Sequence, residues 1–166
     1  MISQTAEYAL RAIFFLSENR EAAHVAHEIA EATRVPVGYL SKVLQNLGRA
    51  GLVSSQRGPG GGFALTKSPT DISIFEIIQA VDPIRRIHRC PVEPTCDTAL
   101  CPLHRRLDDA LAMVEKIFKD STVGELLAQP CRKSARCPFP FRQKSVSRAS
   151  KEIEPHGAHR AKRGNE

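Results

Sequence analysis

The chain has 166 residues and a mass of 18.3 kDa; its 42% hydrophobic and 25% charged side chains exclude a disordered polymer and leave room for one domain with an appendage, or two small domains. No run reaches the roughly 18 apolar residues of a membrane span, and Met1–Thr5 has neither the basic nor the apolar part of a secretory signal, so the expected location is the cytoplasm, with no membrane partner. The net charge of +6 is uneven: residues 131–166 hold ten Lys/Arg against three Asp/Glu, while residues 1–130 are nearly balanced, so the basic pI does not by itself mark the folded body as a nucleic-acid binder.

Ser3 is placed to cap a first helix in which Tyr8, Ala9, Ala12, Ile13 and Leu16 recur at helical spacing. A second helix is expected from about Ala26 to Thr33. The turn Arg34-Val35-Pro36 follows, with Pro36 suited to opening a third helix whose stripe is Leu40, Val43, Leu44 and Leu47. Gly51 marks its end. Two extended runs, Leu52–Gln56 and Phe63–Thr66, flank Arg57-Gly58-Pro59-Gly60-Gly61-Gly62, a composition that permits a tight hairpin tip. Ser73 and Glu76 form a capping-box signature for a fourth helix with Ile74, Ile77, Ile78 and Val81 inward, stopped by Asp82-Pro83.

Residues 84–102 lack periodicity and read as a loop. A long helix is expected from Pro102 to Asp120, with a heptad-like seam at Leu103, Leu107, Ala110, Val114, Ile117 and Ser121, widened by Leu111 and Phe118. Thr122 and Glu125 suggest a second capping box, opening a short helix that ends before Pro130. Residues 131–166 are basic and aperiodic and are expected to be mostly disordered.

Helix, helix, turn, helix and Gly-tipped hairpin, in that order, predict a mainly α fold with a small β-hairpin wing, a winged helix-turn-helix. The third helix leaves Tyr39, Ser41, Lys42, Gln45, Asn46 and Arg49 outward, where they can meet phosphates and base edges in a major groove. Arg57 at the base of the glycine-rich tip and Gly60 within it complete the candidate DNA contacts, Arg57 being suited to a minor groove. The glycine run is neither a phosphate loop, since no Gly-Lys-Ser/Thr follows it, nor a dinucleotide fingerprint, since Phe63 stands where a third glycine is required.

All five cysteines, Cys90, Cys96, Cys101, Cys131 and Cys137, lie in the second half. In a reducing compartment a cluster of this kind reads as metal ligands or redox thiols rather than disulfides. Cys90, Cys96 and Cys101 sit in one loop without the short pairs usual for structural zinc, so an iron–sulfur cluster ranks first and zinc second. Cys101 precedes a helix start, where the dipole favours thiolate. Cys131 and Cys137 read as free thiols of the tail.

Residues 1–130 resemble the Rrf-two family of bacterial transcription regulators. The matching stretches are Tyr8–Ala12, Val35–Leu40, Leu44–Val53 and Arg57–Phe63, followed by the three-cysteine loop before a long helix. The resemblance implies a homodimer built on the long helix, carried here by Leu103, Leu107, Leu111, Val114 and Phe118. It implies a palindromic double-stranded DNA operator bound through the third helix and wing. It also implies a 2Fe-2S or 4Fe-4S cluster on Cys90, Cys96 and Cys101, with a fourth ligand from Glu7 of the partner subunit, preferred because it would couple the cluster to the DNA-binding domain, or from His104. The expected organisation is a winged domain over 1–82, a cluster loop over 83–103, a dimerisation helix and short last helix over 104–129, and the tail over 130–166. The function implied is a non-enzymatic regulator, a repressor, responding to redox state, nitric oxide or iron–sulfur status. A zinc- or thiol-based regulator of the same fold is the alternative. An iron–sulfur electron carrier is disfavoured, because it has no use for a winged helix.

Overall fold

The computed structural model describes residues 2–58, 60–90 and 100–129. Cys96, Cys131, Cys137, Pro59 and the expected disorder of the tail lie outside the described residues.

Helix α1 (Gln4–Glu18) starts where the Ser3 hydroxyl accepts the Ala6 N–H at 3.2 Å, and it buries Ala6, Ala9 and Ala12 with Ile13, Phe15 and Leu16. Alanines at this spacing give α1 a narrow face, so α2 (Ala26–Thr33), α3 (Val37–Arg49) and α4 (Ile74–Val81) all pack onto it. The turn into α3 uses a left-handed residue, Arg34 (φ 56°), after which the Val35 N–H returns to the Ala30 carbonyl at 3.0 Å and the Val35 side chain enters the core. Pro36 caps α3 rather than beginning it: its carbonyl accepts from Tyr39 and Leu40, both at 3.0 Å, and Val37 is the first helical residue.

Strands β1 (Val53–Gln56) and β2 (Gly62–Leu65) pair antiparallel with Val53 opposite Leu65 and Gln56 opposite Gly62. Strand β1 thus starts one residue after the expected Leu52, which is buried in the turn leaving α3, and β2 runs from Gly62 to Leu65 rather than from Phe63 to Thr66. A short 3-10 turn (Pro69–Asp71) leads to α4, which opens with the full reciprocal capping box of Ser73 and Glu76. Burial pushes the Glu76 carboxyl up, but the Ser73 backbone and hydroxyl donors and Lys67 outweigh it, and its pKa ends below the ordinary value.

Helix α5 (Pro102–Asp120) packs on α4 and buries none of its residues fully. Helix α6 (Val123–Ala128) turns back onto the body: the Ile74 N–H donates to Ser121 O at 3.0 Å, the Val123 N–H to Ile72 O at 2.9 Å, and Val123 is fully buried in the main core. At its cap the Thr122 hydroxyl accepts the Glu125 N–H at 3.1 Å, the first half of the expected box. No helix among the described residues is long and apolar enough to cross a membrane.

Candidate metal centre and nucleic-acid interface

Cys101 is the N-cap of α5, Pro102 its first residue and His104 lies one turn in, so the i, i+3 spacing sets both side chains on one side of the helix start. The Cys101 Sγ is 3.1 Å from His104 Nδ1. Cys90, buried and delivered from the segment after α4, places its Sγ 3.6 Å from the same nitrogen. The three donor atoms all lie within 4.8 Å of one another. Sulfur and imidazole ligands of one tetrahedral metal stand roughly 3.5 Å apart, given metal distances of about 2.3 and 2.0–2.1 Å. Two soft thiolates and an imidazole are the donor chemistry of zinc or iron–sulfur centres, not of magnesium or calcium. These residues fit such a group. The third loop cysteine, Cys96, lies outside the described residues. Glu7 is on the exposed side of α1, paired with Arg11 one turn on, and is not among the grouped donors of its own chain.

The stretch between α4 and Cys90 is tied to α5 chiefly through the Asp108 carboxylate. Asp108 accepts from Arg86 Nε at 2.7 Å and Arg86 Nη2 at 2.6 Å, and from the Ile87 N–H at 2.9 Å. These donors hold the Asp108 carboxyl down to about 2, the Arg86 guanidinium being the largest cause. Arg86 also faces Glu115 at 3.6 Å, and Glu115 is itself held below the ordinary range chiefly by Lys119. Sequence reasoning missed this network: Asp108, Glu115 and Lys119 share a helical spacing, but Arg86, which joins it to the preceding segment, is 22 residues from Asp108.

On α3, Leu40, Val43, Leu44 and Leu47 are buried, while Tyr39, Ser41, Lys42, Gln45 and Arg49 are exposed and Asn46 is half-buried. The Ser41 hydroxyl donates to the Val37 carbonyl at 3.0 Å, leaving its lone pairs outward, and Tyr39 meets the edge of Tyr8 with 6.4 Å between ring centroids. Between α3 and the hairpin runs an open groove of about 670 Å³, lined by Ser41, Gln45, Arg49, Ser54, Ser55 and Phe63. Arg57 and Gly60 are exposed at the hairpin tip, where the Gly61 N–H closes onto Gly58 O at 2.8 Å. A Cβ on Gly61 would stand 2.4 Å from the Gln56 carbonyl oxygen, so the tip admits only glycine there.

Helix α5 presents Leu103, Leu107, Val114 and Ile117 to solvent, together with Met113, which is 67% exposed and was not on the expected seam. Leu111 and Phe118 are half-buried over α4, where with the partly exposed Val114 they line an apolar groove of about 600 Å³ together with Ile2, Ile78 and Ile84.

A three-helix body with a hairpin beside an exposed polar helix defines a winged helix-turn-helix transcriptional regulator. The family model for iron-dependent transcriptional regulators, Rrf2, matches residues 2–129. The chain is 32% identical over 128 residues to the HTH-type transcriptional regulator IscR of Escherichia coli K12, covering 76% of this chain and 79% of that one. Among solved structures it is similar to T. potens IscR (TM-score 0.65, 23% identity, 80% of this chain and 93% of that one). It is also similar to CymR, the global cysteine regulator of B. subtilis (TM-score 0.63, 26% identity, 76% and 95%). The chain belongs to the Rrf2 family of transcriptional regulators, which are not enzymes.

Proposed function

We propose that the protein is a homodimeric repressor that binds a palindromic operator through α3 and the hairpin wing, with affinity set by an iron–sulfur cluster. Cys90, Cys96 and Cys101 are the thiolate ligands in this reading and His104 the fourth. The observation that carries it is the convergence of the Cys90 and Cys101 thiols on His104 Nδ1, with all three donor atoms inside 4.8 Å. When bound, the cluster supplies a centre sensitive to oxidants, nitric oxide and iron supply.

The chain's own part is to hold and transmit. Pro102 and the first turn of α5 fix Cys101 and His104 in one rigid unit. Helix α5 packs on α4, and α4 packs on both α1 and α3, so a shift at the α5 start reaches the recognition helix through helices in direct contact. The exposed row Leu103, Leu107, Val114 and Ile117 supports a second copy as the partner: these apolar side chains on a helix of 19 residues are left exposed by the helix's own chain.

A zinc centre is the second reading, favoured by one observation: the S···N separations of 3.1 and 3.6 Å suit two ligands of a single tetrahedral ion. Iron, sulfide and zinc content with the visible spectrum of anaerobically purified protein separates the two. Visible absorption with stoichiometric iron and sulfide supports the cluster; zinc without sulfide replaces it; neither metal nor sulfide leaves a thiol-based regulator.

A further inference from the structure

We propose that Asp108, acting through Arg86 and the Ile87 N–H, is the positioning residue that delivers Cys90 to the metal centre. The proposal rests on reading Cys90, Cys101 and His104 as metal ligands.

The ligands differ in what places them. Cys101 and His104 belong to one helical turn and need no tertiary help. Cys90 ends a stretch from Asp82 that has neither helix nor strand, so local backbone hydrogen bonding does not fix where its thiol arrives. The three bonds on the Asp108 carboxylate are the anchor: a bidentate guanidinium at 2.7 and 2.6 Å and a backbone N–H at 2.9 Å.

The anchor is also at the right distance. Asp108 follows His104 by four residues on the same face of α5, a rise of about 6 Å. Cys90 follows Ile87 by three, and three residues reach at most about 10 Å. A chain pinned at Ile87 therefore has length enough to lay Cys90 beside His104. Without Asp108, the segment loses the three hydrogen bonds that hold Arg86 and Ile87 on α5. Exposed ion pairs contribute little in general, but here one pair is bidentate, shares its carboxylate with a backbone donor, and has an Asp108 side chain only 16% exposed. Glu115 faces the outer nitrogen of Arg86 from about two turns further along α5, so the guanidinium has a carboxylate on each side.

The test begins with metal-free, full-length protein carrying Cys96→Ser, Cys131→Ser and Cys137→Ser, so that two thiols remain. A short bifunctional thiol reagent should link Cys90 to Cys101 in this chain. Asp108→Asn and Arg86→Gln should slow the link severalfold, Arg86→Lys should give an intermediate rate, and the swap Arg86→Asp with Asp108→Arg should recover part of it. Cobalt(II) titration of the otherwise unmodified chain, read by thiolate charge-transfer absorption, supplies the second arm. Asp108→Asn should weaken binding roughly tenfold, the lower end for outer-shell partners of metal ligands, and should have almost no effect in a Cys90→Ser background. Equal losses in both backgrounds would reduce Asp108 to general stability, and wild-type crosslinking in Asp108→Asn and Arg86→Gln would overturn the proposal. Failure of the parent chain to bind cobalt(II), with the crosslinking pattern intact, would sink the metal reading and leave the positioning role standing. Should Asp108→Asn fail to fold, Arg86→Lys and Arg86→Gln decide.

Discussion

His24 and Phe63 exchange two backbone hydrogen bonds, from the His24 N–H to the Phe63 carbonyl at 3.0 Å and from the Phe63 N–H to the His24 carbonyl at 2.8 Å. The wing is thereby stapled to the connection between α1 and α2. The His24 ring, almost fully buried, stands edge-on to Phe15 with 5.2 Å between centroids and meets the Asn19 carbonyl at 2.8 Å. The hairpin is a two-stranded element, marginal alone, and this pair of bonds joins the packing of β1 on α3 and of β2 on α1 in orienting it.

Gly62 is what lets the two backbones meet, since a Cβ there would lie 2.5 Å from the His24 carbonyl oxygen. Gly62→Ala should therefore separate the wing from the body at a cost of about 1–3 kcal/mol, the range for overpacking. Operator affinity should fall while the metal content stays at the wild-type level. Unchanged operator binding and melting temperature would show that the staple does not set the wing.

Lys42→Ala and Arg57→Ala should each weaken operator binding and flatten the log–log salt dependence by about one unit per lost phosphate contact. Footprints of the dimer should show half-sites about one helical turn, or a multiple of it, apart. If neither substitution changes the affinity, α3 and the wing are not the DNA-binding surface.

Leu107→Glu combined with Val114→Glu should yield a monomer in sedimentation, because burying unpaired charge costs several kcal/mol. Both side chains are exposed within the single chain, so the monomer itself should keep its helical content. An intact dimer would move the interface to another face.

His104→Ala should change the visible spectrum and speed the decay of the cluster, whereas Glu7→Ala should leave both alone and remove only an exposed pair with Arg11, worth a few tenths of a kcal/mol. The reverse result would assign the fourth ligand to the partner subunit's first helix. If the single variants and the double variant all retain the wild-type spectrum and lifetime, neither residue is a ligand.

The Asp108 pair carries a pH signature. Its carboxyl titrates near 2 in the folded chain, against about 3.9 in an unfolded one. A lowered folded value means stabilisation that is complete above the unfolded value and disappears as pH falls through the folded one. The melting-temperature difference between wild type and Asp108→Asn should thus be constant from neutral pH down to about 5 and shrink between about 4 and 2. A difference that vanishes already near pH 6 would mean the pair is not what separates the two proteins.

The helices were legible because each carries its own instructions. Ser3, Ser73 and Thr122 announce starts, Gly51 and Asp82-Pro83 announce stops, and the stripe Leu40, Val43, Leu44 and Leu47 has one face whatever surrounds it. The wing was legible for the same reason, since its glycines allow backbone angles other residues resist. Periodicity also identified α5 as a helix with an apolar stripe, yet it could not divide that stripe: Leu111 and Phe118 turn to α4 while Leu103, Leu107 and Ile117 stay exposed, a split set by where α4 lies. Spacing could bring His104 near Cys101, one turn away, but not Cys90, whose approach depends on Arg86 and Asp108. A salt bridge across 22 residues and a staple between His24 and Phe63 leave no period in a sequence. They exist only once packing of α1, α4 and α5 has fixed which distant groups can touch.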